Sequence, residues 1–120
     1  VLPNRGAVVS HLDLHEVEAL YEVVGGLETL AAKHACARIT DEEIAEIGSL
    51  HYQLVRHHLR GERDGYFLKN QAIHRRLVEI SGNEVLLWVW DMLAVRVNRA
   101  RYAANHQPER WAEAVREHEA

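Results

Sequence analysis

From Leu14 to Ala100 the apolar residues return at intervals of three and four, and no stretch of that span carries a strand pattern. This regularity confines the chain to helices packed through their apolar faces. Leu14, Val17, Leu20, Tyr21, Val24, Leu27, Leu30, Ala31 and then His34 or Ala35 predict a first helix reaching about Arg38, with a weak point at Gly25-Gly26. Asp13 and Glu16 form the capping pair at its start, one carboxylate to accept orphan amides and one beside the positive helix end. Thr40 and Glu43 make a capping box for a second helix carrying Ile44, Ile47, Leu50, Leu54, Val55 and Leu59 as far as Gly61. Asp64 is the expected cap of a third, with Tyr66, Phe67, Ile73, Leu77, Val78 and Ile80 inward and a stop at Ser81-Gly82. Asn83 caps a fourth, whose Val85, Leu86, Val89, Trp90, Leu93, Val97 and Ala100 cover enough of its surface for burial on more than one side. Pro108 opens a fifth, with Trp111, Val115 and His118 on one face. The predicted fold class is therefore all-α, an antiparallel helical bundle with short loops.

Residues 1–12 stand apart. Pro3, Asn4, Arg5 and Gly6 give a turn signal before the β-prone Ala7-Val8-Val9, which reads as the remnant of a strand and a linker. Residues 13–120 then form one domain, a length that buries enough surface for its own core. The chain opens on Val1 and stops at Glu119-Ala120 within a helical pattern, and both ends are read as cuts. A net charge of −4 argues against a nucleic-acid-binding surface on this piece. The longest uncharged apolar run, Val85 to Trp90, is far below the roughly 20 residues that cross a bilayer. A single cysteine excludes an internal disulfide and favours a reducing cytoplasm. That residue, Cys36, lies between alanines on the apolar stripe and is expected to be a buried small hydrophobe.

Three groups of side chains can carry chemistry. Asn70 and His74 stand four apart on the third helix, so both project from one face, and His118 is expected to point inward from the fifth. Imidazoles in a bundle interior can begin a site for Zn²⁺ or Ni²⁺. With nine histidines in 120 residues, such pairs also arise by chance, and a hydrogen-bonded core histidine is the commoner outcome. Arg96, Arg99 and Arg101 lie late on the fourth helix, where one facing inward can grip a carboxylate bidentately; helix-end charge is the plainer alternative. Arg96, Arg99 and Asn83 are taken as candidate ligand contacts. His57 and His58 with Arg56 and Arg60 suit the negative end of the second helix and read as solvated surface. Glycine-rich phosphate loops, His-Glu-x-x-His helices and Gly-x-Ser-x-Gly elbows are missing, which weighs against an enzyme.

The order of these motifs resembles one family. Pro3-Asn4-Arg5-Gly6-Ala7-Val8-Val9 is similar to the last strand of the winged helix-turn-helix in GntR-type transcription regulators. Leu20-Tyr21-Glu22-Val23 with Leu27-Glu28, Phe67-Leu68-Lys69-Asn70 through His74, Ile80-Ser81-Gly82-Asn83 and Glu117-His118 resemble the FadR-type C-terminal domain, or FCD domain. The resemblance implies a helical effector-binding and dimerising domain. It also implies a small organic acid bound beside a divalent metal, whose ligands would be Asn70, His74, His118 and a histidine beyond Ala120. Asn70 stands where the family has aspartate, so metal binding is expected to be weak or partial. Val24 stands where its first helix carries arginine.

The expected function is thus an effector sensor in a cytoplasmic homodimeric regulator, contacting DNA through a missing N-terminal domain and having no catalytic activity. The alternatives are a metal-dependent enzyme, with His74 and His118 holding the ion and Glu117 as base, and a purely structural dimerisation bundle.

Overall fold

The computed structural model describes residues 13–106 and, beyond them, Glu109, Ala112, Glu113 and Arg116, all four helical. The strand expected within residues 1–12 lies outside the described residues, as do Trp111, Val115 and His118 of the fifth helix. Four long helices make up the rest: α1 (Leu14–Arg38), α2 (Asp41–Leu59), α3 (Arg63–Ile80) and α4 (Glu84–His106). The all-α expectation holds.

Their ends follow from local chemistry. Asp13 Oδ1 accepts the amides of His15 and Glu16, at 3.0 and 3.3 Å, and starts α1. At α2 the Thr40 hydroxyl accepts the Glu43 amide at 3.1 Å while Glu43 Oε1 accepts the Thr40 amide at 3.0 Å, completing the capping box. Asn83 Oδ1 accepts the Leu86 amide at 3.0 Å and starts α4. Two turns need the left-handed backbone that glycine adopts without strain, Gly61 at φ 69° and Gly82 at φ 75°. At α3 the expected cap is corrected. Glu62 is the N-cap and makes no side-chain capping bond, so Asp64 falls inside the first turn instead, where its charge still suits the helix end.

The chain divides into two compact units, and both divisions cut helices that are themselves continuous. One comprises Val1–Val24 with Met92–Ala120 and the other Gly25–Asp91. The first boundary coincides with Gly25-Gly26, through which α1 runs unbroken.

In the first unit Val17, Val24 and Val97 are buried. Val24, at the position where the resemblance expects arginine, is a core side chain. In the second unit α2 and α3 form an antiparallel hairpin. Arg76, late on α3, bonds Glu46 and Glu43 at the start of α2, while His57 at the end of α2 meets Glu62 just before α3. Arg75 grips Asp91 of α4 through two bonds of 2.9 Å, and these bonds raise the Arg75 guanidinium above its ordinary range. The Arg38 guanidinium donates to the Ser81 carbonyl at 2.8 Å, tying the end of α1 to the α3–α4 turn.

The core of this unit comprises Ala31, Ala35, Val78, Ile80, Leu86 and Trp90. Ala31 and Ala35 sit one turn apart and are almost wholly enclosed, so the ambiguous inward position of α1 is Ala35, and His34 is exposed. Cys36 corrects another expectation. It follows Ala35 by about 100° around the helix, which turns its thiol away from the core, and it is exposed. Helix α2 buries none of its residues; Ile47, Leu50 and Leu54 are half-buried, while Ile44, Val55 and Leu59 face solvent. On α4 the wide apolar surface is only partly used, because Val85, Trp88, Met92, Val95 and Tyr102 are exposed at alternating steps of three and four, with Arg99 completing the series.

Candidate functional site

Asn70 and His74 are both half-buried on α3, four residues apart as expected. His74 has a partner that the sequence did not reveal: its Nδ1 lies 3.4 Å from Glu28 Oε1 of α1. The other oxygen of that carboxylate accepts a 3.0 Å hydrogen bond from the indole N–H of Trp90, a residue only 3% exposed. Glu28 therefore bridges a histidine of α3 and a tryptophan of α4. Its place in the sequence held the signal. Glu28 stands four residues after Val24 and three before Ala31, an acid inside the buried stripe of a helix, and such a charge requires partners.

The donors available to a cation here are one imidazole, one carboxylate already holding an indole, and the Asn70 amide. Among the described residues no three His, Cys, Asp or Glu side chains converge. These residues fit the beginning of a metal site, two protein donors and an amide, and not a complete one. His118 lies outside the described residues.

Arg96 and Arg99 occur elsewhere. They line a groove of about 710 Å³ contained wholly in the first unit, between the start of α1 and the second half of α4. Val17, Leu20, Val23, Leu93 and Ala100 give it apolar walls, and Asp13 and Glu16 sit at the α1 end. Among the described residues Arg96 and Arg99 have no carboxylate partner, unlike Arg75 and Arg76, each of which is held by acids. Asn70 and His74 do not line this groove. The third expected ligand contact, Asn83, spends its side-chain oxygen on the α4 cap.

A volume in the range of small-molecule sites, apolar walls and a few convergent polar groups are the ordinary features of a ligand pocket. The comparison with known proteins supplies the context. The family profile of the FCD domain matches residues 19–120. The chain belongs to the FCD domain family of GntR/FadR-type regulators. This FCD domain is 35% identical over 101 residues to the Nta operon transcriptional regulator of Aminobacter aminovorans, a match covering 82% of this chain and 47% of that protein. The FCD chain thus spans less than half the length of the curated relative it matches. No solved structure matches it. Among the described residues no helix is long and apolar enough to cross a membrane.

Proposed function

We propose that this FCD domain is the effector-binding and dimerising part of a cytoplasmic DNA-binding transcription regulator, and that its effector is a small organic acid held in the α1–α4 groove. One observation carries the reading: two guanidiniums without acidic partners among the described residues, Arg96 and Arg99, line an apolar-walled groove of about 710 Å³. Guanidinium is the natural partner of a carboxylate, bonding it in a plane through two N–H groups. The valine, leucine and alanine walls accommodate the hydrocarbon part of the acid by excluding water from it. DNA contact belongs to a domain outside this chain, in keeping with a net charge of −4. Occupancy can bias two DNA-binding domains only by stabilising one arrangement of the dimer over another. The exposed apolar series of α4, Val85, Trp88, Met92 and Val95, supports pairing with a second copy.

The test is calorimetric titration with a panel of mono- and dicarboxylic acids. Arg96→Gln and Arg99→Gln should each weaken the best acid about tenfold or more, the loss of one charge-assisted hydrogen bond. Undiminished affinity in both variants would refute the assignment.

A second reading rests on the contact between Glu28 and His74. With Nδ1 facing the Glu28 carboxylate, the other ring nitrogen of His74, Nε2, is the atom that can serve a divalent ion, with Glu28 in the orienting role. Asn70 and His74 would hold Zn²⁺ or Ni²⁺ weakly, and the ion would supply a positive point for an acid's carboxylate.

A further inference from the structure

The turn between α2 and α3 carries a different assembly of charge. A depression of about 310 Å³ is lined by Gln53, Arg56, His57, Arg60, Glu62 and Lys69. Three fixed cations converge there from two helices. Arg56 and Arg60 are one helical turn apart at the end of α2, and Lys69 comes from the second turn of α3.

The attraction of a helix C-terminus for cations does not account for them. The last carbonyls of α2 already have backbone donors: Arg60 N–H bonds Arg56 O, Gly61 N–H bonds His58 O and Glu62 N–H bonds His57 O, at 3.2, 3.1 and 2.9 Å. Lys69 belongs to another helix, beyond the reach of that dipole. The one acid of the depression, Glu62, is engaged by His57, whose Nδ1 lies 3.2 Å from its Oε1. The His57 ring rests against Gly65, where any β-carbon would collide with it, so the glycine leaves the room that the ring needs beside the carboxylate. The remaining cations have no acidic partner among the described residues, and Lys69 is half-buried. Elsewhere in the same unit arginines are satisfied: Arg75 by Asp91, Arg76 by Glu43 and Glu46, Arg38 by a carbonyl. Like charges gathered in a concavity repel one another and favour an anion that neutralises them.

We propose that Arg56, Arg60 and Lys69 form a site for a phosphate-type dianion. Three cations against the single charge of Glu62 leave a surplus of two, the charge of a phosphate group near neutral pH. Three separate donors also match the several exposed oxygens of a phosphate better than the two of a carboxylate. This site shares no residue with the α1–α4 groove. Its phosphate is the free or terminal group of a phosphorylated molecule, because each phosphate of a nucleic-acid backbone is a diester carrying a single charge.

The experiment is titration of the 120-residue chain at low ionic strength, in a buffer free of phosphate, with inorganic phosphate, pyrophosphate and a short DNA duplex. Pyrophosphate should bind saturably. Arg60→Gln and Lys69→Gln should each weaken it at least tenfold, Lys69→Arg should retain it, and Arg75→Gln, whose guanidinium is paired with Asp91, should leave it unchanged. Duplex binding that disappears in the same two variants would overturn the dianion reading and identify a singly charged backbone diester as the ligand. Binding of pyrophosphate without the duplex identifies a small phosphorylated molecule. The proposal is overturned if no probe binds saturably, if variants of unchanged helicity keep full affinity, or if Arg75→Gln weakens binding as much as Lys69→Gln.

Discussion

Glu28 is the residue whose removal tests the second unit most sharply, because one carboxylate serves both His74 and Trp90. Glu28→Ala leaves the indole N–H of Trp90 without an acceptor in a side chain only 3% exposed. An abandoned buried donor costs about 1–3 kcal/mol. The contact with His74 adds little: with the two side chains 34% and 23% exposed, solvent screens it to about 0–1 kcal/mol. The expected loss for Glu28→Ala is therefore about 2 kcal/mol. Trp90→Phe removes the donor and some packing volume, and costs a similar amount, about 1–3 kcal/mol. In Glu28→Ala/Trp90→Phe no buried indole donor is left without an acceptor, so the double variant should be more stable than the sum of the two by about 1–2 kcal/mol. Urea unfolding followed by circular dichroism measures all four proteins, with the two-state assumption checked by coincident fluorescence. A coupling energy below about 0.3 kcal/mol, the scatter seen for independent sites, would mean that the bridge contributes nothing in solution.

Gly82→Ala should destabilise the chain by about 1–2 kcal/mol, through its left-handed backbone and a collision of the new methyl with the Arg38 guanidinium that bonds Ser81; thermal unfolding reads it. Asn70→Asp should raise Zn²⁺ or Ni²⁺ affinity and His74→Ala should abolish it, as followed by calorimetry of chelator-treated protein; equal affinity in the original and Asn70→Asp proteins would place Asn70 away from any ion. Sedimentation should show a dimer, and Trp88→Glu, which puts a charge into the exposed apolar series of α4, should shift the equilibrium to monomer.

Much of the fold was legible because its signals are local. Thr40 and Glu43 meet across one turn, Asn83 reaches an amide three residues on, and Gly82 takes a backbone angle that only its own lack of a side chain makes easy. Such features need no knowledge of what lies across the core. Asp64 failed as a cap because the turn after Gly61 brings the helix in two residues sooner, with Glu62 as the cap, which no side chain announces. Cys36 failed because a single position on a helix with small neighbours can face either way, and Ala31 and Ala35 fix the buried line one step behind it.

The candidate sites were legible to a lesser degree, since they depend on contacts between helices. Periodicity put Asn70 and His74 on one face, but nothing in their spacing indicates that Glu28, more than forty residues earlier, meets His74. Arg96 and Arg99 were placed late on α4 from the sequence, whereas the apolar wall opposite them comes from α1. Arg56 and Arg60 read as helix-end charge until Lys69 joined them from α3.

The most direct test of the account is where an acid binds. Backbone and methyl resonances of the isotope-labelled chain, followed through a titration with the tightest organic acid found by calorimetry, report the location residue by residue. The account predicts saturable shifts at Val17, Leu20, Val23, Leu93, Arg96 and Arg99, with α2 unaffected. Shifts confined to the neighbourhood of Asn70, His74 and Glu28 would contradict it, moving the effector site to the histidine and leaving the arginine groove without a ligand.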